Sequence, residues 1–141
     1  MKREKNNNNN SNSNRILLVD DEYDITLSIG TSLEDNGFAV DAFNDPLEGL
    51  SSFKKGVYAL ALLDFKMPKM NGFELYDKIR KIDDKIKICI ITAYDIQQDD
   101  VKATAEWTTL NEEESPVVIR KPISPTDLVQ KVKKELECSS D

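Results

Sequence analysis

Residues 58–63 read YALALL, and residues 64–72 continue as DFKMPKMNG. A strand with one face in water alternates apolar and polar residues, whereas a strand covered on both faces can be apolar throughout. The run at 58–63 is therefore expected as an interior strand of a sheet. It ends at an aspartate and an irregular loop. Residues 86–91, IKICII, nearly repeat it, and ILLV at 16–19 and VVI at 117–119 are shorter versions. FAVDAF at 38–43 alternates instead and is expected as an outer strand.

Stretches of helix length separate these runs. The first fits 24–36, with Ile25, Leu27, Ile29 and Leu33 among its apolar positions and Gly37 as its stop. Asp45-Pro46 is a helix start, a capping carboxylate followed by proline in the first turn. That helix is expected to run to about residue 55, with Gly56 closing it. The next spans 72–82, with Phe73, Leu75, Tyr76 and Ile79 as core candidates. A weaker helix fits 99–110, ahead of an acidic polar stretch at 111–115. Ser124-Pro125 repeats the cap-plus-proline start, and Leu128, Val129, Val132 and Leu136 give the last helix its face. Five strands alternating with five helices predict a parallel sheet covered on both sides through right-handed crossovers. Chemistry in such α/β sheets gathers at the carboxyl ends of the strands.

Those ends carry Asp20 and Asp21 after the first strand, Asp64 after the third, Thr92 after the fourth and Lys121 after the fifth. Two carboxylates about 4 Å apart repel by ~4 kcal/mol at an effective dielectric of 20. Three such groups need a raised pKa, the Lys121 ammonium, or a bound divalent cation. Carboxylates, backbone oxygens and water are the ligand set of magnesium. An aspartate beside such an ion can attack a phosphoryl group and form an acyl phosphate. Each residue also has a plain reading. Asp20, Asp21 or Asp24 could simply start a helix, Asp64 could be a loop residue, and Thr92 and Lys121 could be ordinary strand-end and surface residues. Their convergence on one edge favours the chemical reading.

Composition narrows the classes further. The chain of 141 residues has a net charge of −7. Its first fourteen residues, MKREKNNNNNSNSN, hold three basic side chains against one acidic, which leaves the remainder at −9. A body this acidic repels phosphate backbones, so no direct nucleic-acid partner is expected. The absence of histidine removes Ser/His and Cys/His catalysis and any histidine phosphoacceptor in the chain. Cys89 and Cys138 cannot make a zinc site alone and are read as reduced thiols, Cys89 in a buried run. The longest unbroken apolar run falls far short of the ~20 residues needed to span a bilayer. No membrane insertion is expected, and a cytoplasmic location is the simplest expectation. Residues 1–14 are expected as a disordered Asn-rich tail, 15–137 as one domain and 138–141 as a polar C-terminal tail.

The chain resembles the CheY-like receiver domain of two-component response regulators. RILLVDDE at 15–22, LALLDFKMPKMNGFEL at 60–75, IITAY at 90–94 and IRKPI at 119–123 carry the resemblance, in the family's order. It implies a flavodoxin-like, doubly wound α/β fold with five parallel strands in the order 2-1-3-4-5 and five helices. It implies Asp64 as the phosphoacceptor. Asp21, Asp64 and the backbone carbonyl of Lys66 would hold Mg2+ (or Mn2+), with Asp20 acting in the same acidic pocket, often through water. Lys121 would contact the phosphoryl group, and Thr92 would hydrogen-bond it on activation. Ala93 would keep the approach to Asp64 uncrowded, and Pro122 would follow Lys121 through a cis bond.

The sequence departs from the family in two places. A tyrosine or phenylalanine often stands three residues before the lysine; here the position is Val118. The stretch from Thr92 to Lys121 exceeds the usual spacing by about two helical turns, with the surplus in TLNEEES and without the common Gly-Ala pair. That insertion reads either as a solvated loop or as a surface for a basic partner. Tyr94 and Trp107 could take over part of the switching role or simply pack.

The expected function is a single-domain phosphorylation switch without an output domain. It would be charged by a histidine kinase or histidine phosphotransfer protein and read by a downstream protein the sequence does not name. It would catalyse its own phosphorylation without being a turnover enzyme. The alternative is a receiver-like protein-binding module that does not depend on phosphorylation. An aspartate-based phosphatase ranks low, because that class needs a second aspartate two residues after the nucleophile, where Lys66 stands. A flavodoxin-like nucleotide binder ranks lower, because no glycine-rich phosphate loop follows the first strand.

Overall fold

The computed structural model describes residues 14–92 and 117–138, with side chains through 137. The element order is β1 (Arg15–Val19), α1 (Tyr23–Asp35), β2 (Ala39–Phe43), α2 (Pro46–Ser52), β3 (Leu60–Asp64), α3 (Gly72–Ile82), β4 (Lys87–Thr92), β5 (Val117–Arg120) and α4 (Pro125–Cys138). The strands form one sheet in the order β2-β1-β3-β4-β5, parallel at each of its four pairings. The helix expected at 99–110, the acidic stretch after it, Ala93, Tyr94 and Trp107 all lie outside the described residues.

Both faces of the sheet are covered, which is why its central strands are apolar throughout. Leu17, Val19, Ala61, Leu63, Ile88 and Ile90 point to the layer of α2 and α3, where they meet Phe53, Phe73, Tyr76 and Ile79. Ile16, Leu18, Leu60, Leu62, Cys89 and Ile91 point to the layer of α1 and α4, against Ile29, Leu33, Leu128, Val129 and Val132. Each fully buried Leu, Ile, Val or Phe side chain among them contributes about 1.5–3 kcal/mol by leaving water. Leu27 is an exception among the apolar positions of α1, because it faces solvent. Burial also pushes the Cys89 thiol up to about 12, with the nearby Glu135 adding to the effect, so it stays protonated.

Local signals set the helix ends. α1 ends in a Schellman arrangement: Gly37 takes φ 93°, its N–H donates to the Glu34 carbonyl, and the Phe38 N–H donates to Leu33. α3 starts with a capping box, in which the Asn71 side chain accepts from the Glu74 N–H and the Glu74 carboxylate accepts from the Asn71 N–H, both at 2.9 Å. Asp45 caps α2 by accepting from Leu47 N–H at 2.9 Å.

Two boundaries differ from expectation by more than one residue. α2 stops at Ser52, because Phe53 turns inward in an extended conformation and stacks on Tyr58 with ring centroids 5.6 Å apart. Gly56, at φ 81°, therefore serves the following turn and not the helix. Tyr58 is buried but precedes β3, held by that stack and by its hydroxyl donating to Asp41 at 2.7 Å. Apolarity alone could not tell this packed approach from the strand itself, so β3 begins two residues later and includes Asp64.

Candidate functional site

Parallel pairing brings the carboxyl ends of β1, β3, β4 and β5 to one edge. Asp20 and Asp21 follow β1, Asp64 and Thr92 are the last residues of β3 and β4, and Lys121 follows β5. Beyond the strands the ladder continues. Phe65 N–H donates to the Ile91 carbonyl and Lys121 N–H to the Thr92 carbonyl, each at 2.8 Å. The peptide bond between Lys121 and Pro122 is cis, as the resemblance implies.

Asp20, Asp64 and Thr92 are buried, while Asp21 is exposed at the mouth. One carboxylate oxygen from each of Asp20, Asp21 and Asp64 lies within 4.8 Å of the others. At that separation each charged pair repels by roughly 3–4 kcal/mol at an effective dielectric of 20. The Lys121 ammonium reaches in, with Nζ 3.3 Å from Asp64 Oδ1 and 3.4 Å from Asp20 Oδ2. Among the described residues, the Lys121 ammonium thus pairs with two of the three carboxylates, Asp20 and Asp64. Burial, reinforced by the Asp20 charge, pushes the Asp64 carboxyl up to about 7 despite Lys121. Burial also raises Asp20, against the opposing effects of the Glu22 N–H and Lys121. Burial alone would lower Lys121, but the Asp64 and Asp20 charges outweigh it and hold the ammonium protonated. The donor set is all oxygen and under-compensated, which fits a hard divalent cation such as magnesium.

The plain capping reading of the acidic triplet is only partly met. The residue before α1 is Glu22, and it makes no side-chain cap. Asp20 Oδ1 instead accepts from the Glu22 N–H at 2.9 Å, which fixes its carboxylate at the edge.

The loop after Asp64 is shaped around that residue. Phe65 and Met67 are buried on either side of Lys66, whose side chain is exposed, so the Lys66 backbone is anchored from both neighbours. Met70 N–H donates to the Pro68 carbonyl at 2.8 Å across Lys69, which has φ 75°, a γ-turn. Gly72 is more than a turn residue. A Cβ there would lie 2.6 Å from the Asp64 carbonyl oxygen and 3.0 Å from Phe65 Cα. The helix and the phosphoacceptor candidate can approach this closely only without a side chain at 72.

The structure adds a residue that the sequence did not single out. Asn44, in the turn between β2 and α2, donates Nδ2 to the Asp20 backbone carbonyl at 2.8 Å and to Thr26 Oγ1 at 3.0 Å. In sequence it reads only as the neighbour of a helix cap. Val118, by contrast, is 41% exposed on the edge strand β5.

This fold and strand-edge constellation are those of a receiver-type signalling domain. Residues 16–133 match the model of the response regulator receiver domain, and the chain belongs to that family. It is similar to a CheY-like response regulator receiver domain protein from Methanospirillum hungatei, with a TM-score of 0.76 and 30% identity over 91% of this chain and 97% of that one. The CpxR homolog of Haemophilus influenzae, a transcriptional regulatory protein, is 40% identical over 56% of this chain and 34% of its own length. The sporulation initiation phosphotransferase F of Bacillus subtilis is 34% identical over 57% and 64% respectively. The chain therefore spans about a third to two thirds of the length of these curated relatives. No helix among the described residues is long and apolar enough to cross a membrane.

Proposed function

We propose that this chain is a magnesium-dependent phosphorylation switch with Asp64 as its phosphoacceptor. The observation that carries the reading is the pairing of a buried Asp64 with two further carboxylates and one lysine at the ends of parallel strands. Asp21, Asp64 and the Lys66 backbone carbonyl would hold the ion, with Asp20 completing the pocket through water. A bound ion would offset the carboxylate repulsion and the charge of the phosphoryl oxygens.

The donor is the phosphohistidine of a partner kinase or phosphotransfer protein, since the chain has no histidine. An Asp64 oxygen attacks phosphorus, an O–P bond forms, and the N–P bond breaks with its electron pair going to the imidazole nitrogen, which takes up a proton. Lys121, already within reach of Asp64, orients and neutralises the transferred group. Thr92, at the adjacent strand end, hydrogen-bonds it afterwards. The added charge of about −1.5 to −2 changes which protein surface the domain offers. The switch acts in the cytoplasm, and its readout is contact with another protein and not direct binding of nucleic acid. The kinship with a phosphotransferase supports a phosphorelay role.

The test is an intact mass after incubation with acetyl phosphate and magnesium. Addition of one phosphoryl group is expected, lost in Asp64→Ala and with a chelator present. A chain that binds magnesium but never gains mass, from acetyl phosphate or from a histidine kinase, would overturn the reading in favour of a module that works unphosphorylated.

A further inference from the structure

The last residue of β2, Phe43, and the two residues between β2 and α2, Asn44 and Asp45, all touch the acidic edge or the structures that frame it. Phe43 accepts from the Asp20 N–H at 3.1 Å. Asn44 donates to the Asp20 carbonyl at 2.8 Å and to Thr26 Oγ1 at 3.0 Å, and Thr26 in turn donates to the Tyr23 carbonyl at 2.9 Å. Asp45 accepts from Lys69 of the β3–α3 loop at 2.9 Å. The Asp20 peptide groups are thus held from both sides by one turn, and the same turn reaches the loop that follows Asp64.

This matters because Asp20 and Asp21 lie beyond the last residue of β1. Their backbone no longer has the full ladder of the sheet to fix it. Three carboxylates drawn together also repel, and they separate unless the chain that carries them is pinned. A carboxylate cluster binds a small cation well only if it is held in place beforehand. We propose that Asn44 is the positioning residue that pins the Asp20–Asp21 turn and so sets the magnesium affinity of the site. This rests on the reading of the cluster as a metal site, and it assigns Asn44 a role through the Asp20 backbone and not through contact with the ion.

The experiment is magnesium titration of the full chain by calorimetry, with no phosphodonor, on wild type, Asn44→Ala and Asn44→Leu. The leucine variant keeps roughly the size of the side chain and adds no charge, but cannot donate. Both variants are expected to weaken magnesium binding by about tenfold or more, as loss of an outer-shell partner does. Phosphorylation by acetyl phosphate is expected to recover toward the wild-type rate once magnesium saturates each variant. Asp83→Asn, at the opposite edge of the sheet, serves as the stability control. It is expected to lower Tm while leaving magnesium affinity within about twofold, because Asp83 contacts no site element. If wild type binds magnesium and both Asn44 variants bind it equally well, the positioning role is overturned while the site reading stands. If wild type binds no magnesium, the site reading itself fails. A fall in Tm without a change in affinity would also overturn the proposal, since that is what a purely structural turn contact would give.

Discussion

Two aspartates at opposite edges of the sheet are equally buried, each 6% exposed, and they titrate in opposite directions. Asp83 lies between α3 and β4. Burial alone would raise it, but the N–H groups of Lys85, Gly56 and Ile86 outweigh that effect and hold its carboxyl below the usual range. Asp64 sits among two more carboxylates with Lys121 facing it, and its carboxyl is pushed up to about 7. Burial sets the cost of a charge; the donors around it decide whether that cost is met. At the amino edge the donors are backbone N–H groups and the result is stability. At the carboxyl edge the compensation is incomplete, and the result is an acidic pocket with a ligand set that could hold a metal ion.

The largest expected effect sharpens this contrast. Asp64→Asn abolishes phosphoryl incorporation, read by intact mass, because a carboxamide is no nucleophile here. The same change is expected to stabilise the metal-free fold at pH 7 by about 2 kcal/mol, less than the full pKa shift implies because solvent screens part of the repulsion. The pH dependence carries the opposite sign at the two edges. For Asp64 the folded state holds a proton more tightly than the unfolded chain, so its contribution to metal-free stability is greatest below about pH 4 and is lost as pH rises toward 7. Asp83 contributes stability above its unfolded pKa and loses it as pH falls through its lower folded value. Urea melts of wild type against Asp64→Asn and against Asp83→Asn, from pH 3 to 8, resolve the two slopes. Slopes of the same sign would break the comparison.

Asp83→Ala is next, expected to cost about 3 kcal/mol by removing the carboxylate that accepts from the buried Ile86 N–H and the part-buried N–H groups of Lys85 and Gly56, on the order of 10 °C in Tm. Phosphorylation of the folded fraction should not change. Gly72→Ala follows at about 2 kcal/mol. Unlike Asp83→Ala it should also slow phosphorylation, since the new methyl would press on the Asp64 backbone. Asp45→Ala is the smallest, about 1 kcal/mol for a lost helix cap, read as a modest shift in the urea midpoint.

Much of this was legible in the chain. Strands of continuous apolar residues announced a sheet covered on both faces, and α3 spans the residues its apolar positions marked. Asp20, Asp21, Asp64, Thr92 and Lys121 converge because parallel strands must put their carboxyl ends together. What escaped was tertiary. The Asn44 bond to Asp20 joins residues 24 apart through a backbone carbonyl, which leaves no pattern in sequence. Gly72 reads as a turn glycine until its distance to the Asp64 carbonyl is seen. The end of α2 was hidden because Phe53 leaves the helix to stack on Tyr58, a preference set by the packed core and not by the local sequence.

The ladder that runs past the strand ends has a kinetic consequence. Phe65 and Lys121 each give their amide proton to a carbonyl of β4, so the residues next to Asp64 and Thr92 are stitched into the same cooperative unit as the sheet. Opening those amides to deuterium requires the end of β4 to separate from both its neighbours, so they are expected to exchange on the timescale of the core and not of surface loops. The acidic edge therefore sits on a fixed rim, and under the proposed phosphorylation any rearrangement would have to move around it.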